Sequence, residues 1–330
     1  MQRREFIAFL GSSAVASVAW PCTTSAEITS KVYRLGTLGS RDPYDEKSRF
    51  GSILIGVLSR GGYTIGKNLA LDARGAGGVA DRVPQILQEM KAGKVDALVV
   101  IGFPAALAAK TLGIPTVVAF GAGDPVATGL VKSLSRPGGN LTGISDNATE
   151  LTTKRLSLLK RLNPKLQRIA ILWNKNDLGM QMRYQASAKV AESTDITVMP
   201  LGVGEPDDFD EAFAAMDREL PDAILMVSDT LTSLNRKRVF KYAAERKLPA
   251  IYEYDFLTRD GGLMSYGADL TESFERTGDL VSRIFKGARP GDLPFEQPTR
   301  YPFVINLRTA KDTGIELPPD LVALADEVIE

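Results

Sequence analysis

Two segments of this chain follow the same plan, and that repetition constrains the fold more than any other feature. Asp96–Phe120 reads DALVVIGFPAALAAKTLGIPTVVAF, and Asp222–Tyr254 reads DAILMVSDTLTSLNRKRVFKYAAERKLPAIYEY. Each begins with Asp-Ala and continues as an unbroken apolar run of strand length. Each then opens a helix, meets a proline and enters a second short apolar run. Runs apolar on both sides are expected of strands covered by helices on both faces of a parallel sheet. Upstream, Val32–Leu38 (VYRLGTL) and Arg168–Trp173 (RIAILW) hold equivalent places. A period this long does not fit a solenoid; it predicts two copies of one α/β lobe.

The rest of the chain fits the same alternation. The first half predicts a helix over Asp45–Arg60, a strand over Asn68–Ala73, a helix over Asp81–Ala92 and a helix opened by Pro104. The stretch from Pro115 to Ser145 predicts a strand, a break at Gly121-Ala122-Gly123, a short helix after Asp124-Pro125, a turn at Pro137–Asn140 and a strand. The second half predicts helices over Glu150–Leu162, Leu178–Glu192, Asp208–Glu219 and Leu270–Phe285, one long helix before Pro249, and a final helix over Pro319–Val328. Strands are expected at Ile196–Leu201, Ala223–Val227, Leu263–Tyr266 and Pro302–Leu307, with Lys286–Pro298 crossing between lobes.

Composition narrows the chemistry. The 330 residues hold 40 basic and 40 acidic side chains, so no net charge draws the chain to nucleic acid or an anionic membrane. Histidine is absent and Cys22 is the single cysteine, which removes the commonest general base and leaves no thiolate metal site and no disulfide within the chain. No GxGxxG or Walker A pattern occurs, and Gly138-Gly139 reads as a turn. No cofactor and no metal are expected. No nucleophile motif appears, so the chain is read as a non-enzyme, with a Ser/Lys or two-carboxylate hydrolase or isomerase as the alternative. The N-terminus has a basic start with Arg3-Arg4, an apolar middle and Thr24-Ser25-Ala26, the pattern of a twin-arginine-like export signal cleaved after Ala26. Its apolar run is too short for a stable membrane span.

In open parallel sheets ligands sit beyond the carboxyl ends of strands, where the strand order reverses. With two lobes facing each other, the candidates are the residues after each strand. They are Gly39, Ser40, Phe103, Pro104, Ala105, Ala122, Gly123 and Asp124 in the first lobe. The second lobe offers Asn174, Ser228, Asp229, Thr230, Tyr252, Glu253 and Tyr254. The helix opening at Pro104 offers amides of Ala105 and Ala106 to a carboxylate. Asp124, Asp229 or Glu253 suit an ammonium group. Phe103, Tyr252 and Tyr254 suit an apolar ligand body. Asp124 and Asp229 each read equally well as helix or turn caps. Tyr252 reads equally well as core, and Trp173 reads better as core.

As a set, four segments resemble the substrate-binding proteins of ABC transporters of the TrpX-like type. They are RREFIAFLG, FPAALAAKTLGIPTVVAFGAGDPVATGLVKSLSRPGGNLTG, LPAIYEYDFLTRDGGLMSYGADL and QPTRYPFVINLRTAKDTGIELPPDLVALADEVIE. The resemblance covers almost the whole chain. It implies a type I periplasmic binding protein fold: two doubly wound parallel-sheet lobes joined by a hinge of three crossovers. It places residues 27–146 with about 268–298 in one lobe, and 147–267 with about 299–330 in the other. It implies a periplasmic monomer that closes on a small carboxylate-bearing solute, an aromatic or branched amino acid or related acid. The solute would pass to an ABC permease driven by an ATPase subunit. By the same likeness the carboxylate would lie on the Ala105 side and the ammonium near Asp124 or Asp229. The first loop, LGSRDPYDE, is more charged than the small Ser-rich version expected of the family, which brings Arg41 and Tyr44 to the cleft edge. An exported sensor that presents its closed form to a receptor is the alternative partner reading.

Overall fold

The computed structural model describes residues 31–148 and 150–330, so the export-signal residues Arg3, Arg4 and Ala26 lie outside the described residues. The chain builds a five-stranded sheet first. β1 (Tyr33–Gly39), α1 (Arg49–Arg60), β2 (Leu69–Gly75), α2 (Val83–Ala92), β3 (Ala97–Val100), α3 (Phe103–Leu112), β4 (Thr116–Val118) and β5 (Leu141–Gly143) follow in sequence. The strand order is β2-β1-β3-β4-β5, all parallel. A second sheet follows, with α4 (Thr152–Leu162), β6 (Arg168–Asn174), α5 (Leu178–Glu192), β7 (Thr197–Val203), α6 (Asp208–Arg218), β8 (Ala223–Met226), α7 (Thr230–Leu234), α8 (Arg236–Arg246), β9 (Ala250–Tyr252), α9 (Asp255–Arg259) and β10 (Met264–Tyr266). The chain ends with α10 (Leu270–Phe285), β11 (Phe303–Asn306), α11 (Leu307–Thr313), α12 (Pro319–Val322) and β12 (Glu327–Ile329).

The second sheet runs β12-β11-β10-β9-β8-β6-β7. Read from β6, its first five strands repeat the winding of β1 to β5. Each sheet therefore reverses its order beside its first strand, between β1 and β3 in one and between β6 and β8 in the other. One pair, β10 with β11, is antiparallel.

Residue chemistry accounts for most element ends. Ser48 caps α1 by accepting from the Gly51 amide at 3.2 Å. The helix begins after the expected Asp45 because that carboxylate accepts the Lys47 and Ser48 amides at 3.0 and 2.9 Å, holding a turn. The expected short helix after Asp124-Pro125 is a turn. Asp124 accepts the Val126 and Ala127 amides, and Gly129 at φ +72° breaks the helical course. The expected long helix before Pro249 is divided at Asn235 into α7 and α8. The expected final helix stops at Val322. The chain then turns into β12, where Asp326 exchanges hydrogen bonds with the Phe303 backbone and pairing with β11 covers an otherwise open sheet edge.

α10 returns from the second sheet to the first. It buries Phe274, Leu280, Val281 and Phe285 with Leu54 and Leu58 of α1. The chain thus passes between the sheets three times, after β5, after β10 and before β11. These passages are bonded side by side. Around Ile144 the Ser145 amide donates to the Glu296 carbonyl at 2.8 Å and the Glu296 amide to the Gly143 carbonyl at 2.9 Å, and Glu272 at the start of α10 accepts from the Thr299 and Arg300 amides at 3.1 and 3.0 Å.

Candidate functional site

A cavity of about 590 Å³ lies where the two sets of strand tips meet. From the first sheet come Ser40 after β1, Ile101 and Gly102 after β3, and Phe120 and Gly121 after β4. From the second come Ser228, Asp229 and Thr230 after β8, with Tyr254 and Phe256 after β9. The β1–α1 loop adds Arg41, Asp42, Pro43 and Tyr44, α7 adds Ser233 and Leu234, and the start of α8 adds Arg236. Both reversal points contribute, as the topology requires.

One side of the cleft is aromatic. Phe50 stacks on Phe274 with centroids 4.8 Å apart, and Phe120 meets Tyr254 edge to face at 5.3 Å. Tyr254 and Phe256 lie parallel at 6.1 Å. Contacts between the sheets close around this space. The Thr230 hydroxyl donates to Ser40 Oγ at 2.9 Å, and Arg49 pairs with Asp255 at 3.4 Å. Gly123 also lies so close to Gly179 that a Cβ on it would stand 2.9 Å from the Gly179 Cα.

Behind the strand tips sits a cluster of four buried charges. Arg183 of α5 donates to Asp146 at 3.1 and 3.2 Å and to Glu253 at 2.8 Å. Arg155 of α4 lies 3.4 Å from Glu253 and donates to the carbonyls of Ala148 and Tyr266 at 2.7 and 2.8 Å. The cluster holds the cleft residues directly. Asp146 accepts from the Tyr254 hydroxyl and from the Gly121 amide, and Glu253 accepts from the Ser228 amide at 2.9 Å. Burial pushes the Asp146 carboxyl up, but Arg183, the Tyr254 hydroxyl and the amides of Ala148 and Gly121 outweigh it and hold the group below the ordinary carboxylate range. Burial works against the charge on Arg183, yet its two carboxylate partners keep it well above the usual value. For Arg155 burial prevails and the shift is downward.

Of the residues expected from sequence, Ser40, Ser228, Asp229, Thr230 and Tyr254 line the cleft together. Asp229 also caps α7, accepting the Thr232 amide at 2.9 Å, and takes the Asn174 side-chain amide at 2.6 Å. Asn174 serves that carboxylate rather than the cavity wall. Gly39 ends β1, its carbonyl accepting from Ala76 at 3.0 Å. Glu253 stands behind the wall in the charge cluster. Tyr252 is core, edge-on to Phe240 at 5.2 Å. Phe103, Ala105 and Ala122 are buried in the first sheet's core, and Pro104 is exposed. The start of α3 therefore reaches the cleft only through Gly102, and the Ala106 amide is already bonded to the Gly102 carbonyl. Asp124 is turned away. Positive φ at Gly121 and Gly123 swings the chain past the cleft, so the carboxylate faces solvent beside a separate cavity of about 180 Å³. Trp173 is core, stacked on Tyr184 at 3.6 Å.

The sequence reading missed Phe120, Phe256, Asp146, Arg155 and Arg183. For the arginines a signal existed. Arg183 shares the buried stripe of α5 with Met180, Ser187 and Ala191, and Arg155 shares that of α4 with Thr152, Leu156 and Leu159. A cation on the apolar face of a helix has to find a buried anion.

Asp177, the cap of α5, was missed as well. It accepts the Met180 amide at 3.1 Å, yet burial and the nearby Asp229 carboxylate push its pKa from 3.8 up to about 6. A carboxyl raised in the folded state binds more protons there than in the unfolded chain, so stability falls as pH rises from about 4 through about 6. Asp177→Asn keeps the cap and removes the charge. It should raise urea-unfolding stability near neutral pH by on the order of 2 kcal/mol, and the gain should vanish near pH 4. A gain equal at both pH values would contradict this origin.

Among the described residues, no helix is long and apolar enough to cross a membrane, and no group of three or more acidic side chains could hold a metal ion. The family model for ABC transporter substrate binding protein matches residues 48–329. A tyrosine-binding protein of Clostridioides difficile (strain R20291) is 28% identical over 271 residues, 82% of this chain and 77% of that protein. A conserved domain protein from Vibrio cholerae superposes with a TM-score of 0.83 at 25% identity, covering 90% of this chain and all of the other. An ABC domain from Streptococcus pneumoniae in complex with L-Trp superposes with a TM-score of 0.79 at 24% identity, covering 91% of this chain and all of the other. With that match along most of its length, and with two similarly wound lobes meeting at their strand tips, the chain belongs to the ABC transporter substrate-binding protein family and has the type I periplasmic binding fold.

Proposed function

We propose that this protein captures a small carboxylate-bearing solute with an aromatic or branched apolar body between its lobes. In this reading it is exported to the periplasm and delivers the solute to an ABC permease with its ATPase subunit. Lobe one comprises residues 27–146 with about 268–298, lobe two 147–267 with about 299–330, and the three passages between them form the hinge. The observation that carries the proposal is the cleft itself: residues from both sets of strand tips line it, and Phe120 from one lobe meets Tyr254 from the other inside it. A guest touching both sides favours the closed arrangement because only that arrangement satisfies both sets of contacts. The tyrosine-binding relative and the L-Trp complex support the solute class.

A thermal-shift screen over aromatic and branched amino acids and the corresponding acids tests the reading, since a ligand bound by the folded state alone raises apparent stability. Failure of every carboxylate in the screen to do so would overturn it. Arg41 supplies the cation for the solute's carboxylate in this reading. It lines the cleft, and its guanidinium has no ion-pair partner among the described residues. Arg41→Ala should weaken carboxylate binding by about tenfold, the scale of a charge-assisted hydrogen bond, as read by titration calorimetry. Unchanged affinity would remove Arg41 from the site.

A further inference from the structure

About half of the polar side chains that line the cleft are committed to partners within the protein; the half-buried Tyr44 and Ser233 hydroxyls are not. The Tyr254 hydroxyl is bound to Asp146, so the tyrosine offers the cavity a ring and no free hydroxyl. Thr230 donates to Ser40, the Asp229 carboxylate accepts from Thr232 and Asn174, and the Ser228 amide donates to Glu253. The charges behind the strand tips are matched within their own cluster, two arginines against two carboxylates. That floor has no unpaired charge to offer a guest. The uncommitted charged side chains, Arg41 and Asp42, belong to the exposed β1–α1 loop at the mouth.

One polar group at the floor stands apart. Ser228 is 2% exposed, and its hydroxyl has no hydrogen-bond partner. Buried hydroxyls without partners also occur at Thr258 and Ser265, but of the three residues Ser228 is the one that lines the cleft. A buried hydroxyl left unmet is costly, and a guest that meets it recovers that cost. A site built this way favours a guest carrying the matching group over one that lacks it.

Resting on the capture of an aromatic acid proposed above, we infer that the guest lies with its charged head at the mouth and its ring toward the floor. There the Ser228 hydroxyl recognises a hydrogen-bonding substituent on the ring. Ser228 is then the residue that separates hydroxylated aromatic acids from unsubstituted ones. The probes are two pairs differing by one hydroxyl, L-tyrosine with L-phenylalanine and 4-hydroxyphenylacetate with phenylacetate, titrated calorimetrically into the wild-type protein and Ser228→Ala. The wild type should bind the hydroxylated member of at least one pair about tenfold more tightly. Ser228→Ala should bring that ratio to within about twofold, through weaker binding of the hydroxylated member alone. A ratio that survives in Ser228→Ala overturns the inference. Equal binding of both members by the wild type also overturns it, as does binding of branched aliphatic acids with no aromatic bound; both results leave the capture of a carboxylate intact. Binding of no carboxylate at all overturns the capture reading and the inference together.

Discussion

Replacing Arg183 with methionine should destabilise the protein by about 3–5 kcal/mol near neutral pH, the usual result of removing one partner from a buried ion pair. Two carboxylates, Asp146 and Glu253, would be left buried without the guanidinium that joins them. The loss should be read from urea unfolding. It should be smaller in acid. Asp146 is held below its ordinary pKa of 3.8, so its contribution is present above that pH and is lost as pH falls through the folded value. Arg183→Met with Asp146→Asn should cost less than the two single changes summed, because the pair shares one interaction. Strict additivity, or a single-variant loss under about 1 kcal/mol, would show that the cluster is not coupled as its geometry indicates. The change should also weaken solute binding, since Tyr254, Gly121 and Ser228 are held through these groups.

Replacing Gly123 with valine should lower solute affinity by about a hundredfold or more while leaving each lobe folded, as expected when a few kcal/mol of closed-state contact is lost. Gly123 has φ +70°, and a Cβ there would sit 2.9 Å from the Gly179 Cα and 3.1 Å from the Gly179 carbonyl oxygen. Backbone cannot yield as a flexible side chain can, so the added volume has to separate the loop after β4 from the start of α5. Small-angle scattering with saturating ligand should show the wild type contracting and the variant remaining extended. Contraction of both to the same radius would mean that this contact does not limit closure. The far-ultraviolet dichroism of the variant should match the wild type, which separates blocked closure from misfolding.

The alternation of strand and helix was legible in the sequence because buried strands of a parallel sheet are short apolar runs, and few other structures produce them at regular spacing. α5 and α10 were bounded to the residue, Leu178–Glu192 and Leu270–Phe285. Asp177 and Asp269 cap their starts through local side-chain hydrogen bonds, and such bonds depend on neighbours in sequence. β12 was not legible, because four residues after α12 the chain is captured by β11, more than twenty residues upstream. The same distinction runs through the site. The rule that ligands sit beyond strand ends picked out, from order alone, Ser40, Ser228, Asp229, Thr230 and Tyr254, which line one cleft. Asp124, Phe103 and Tyr252 lie off that wall, since which way a loop turns after its strand depends on single backbone angles and on what the opposite lobe already occupies. Local sequence, read through periodicity and capping, determined that this chain makes two lobes and where their strands end. Only the tertiary structure decided which side chains face the shared space and which meet behind it. A charge such as Arg183 takes its meaning from partners 37 and 70 residues away, and no local pattern encodes that distance.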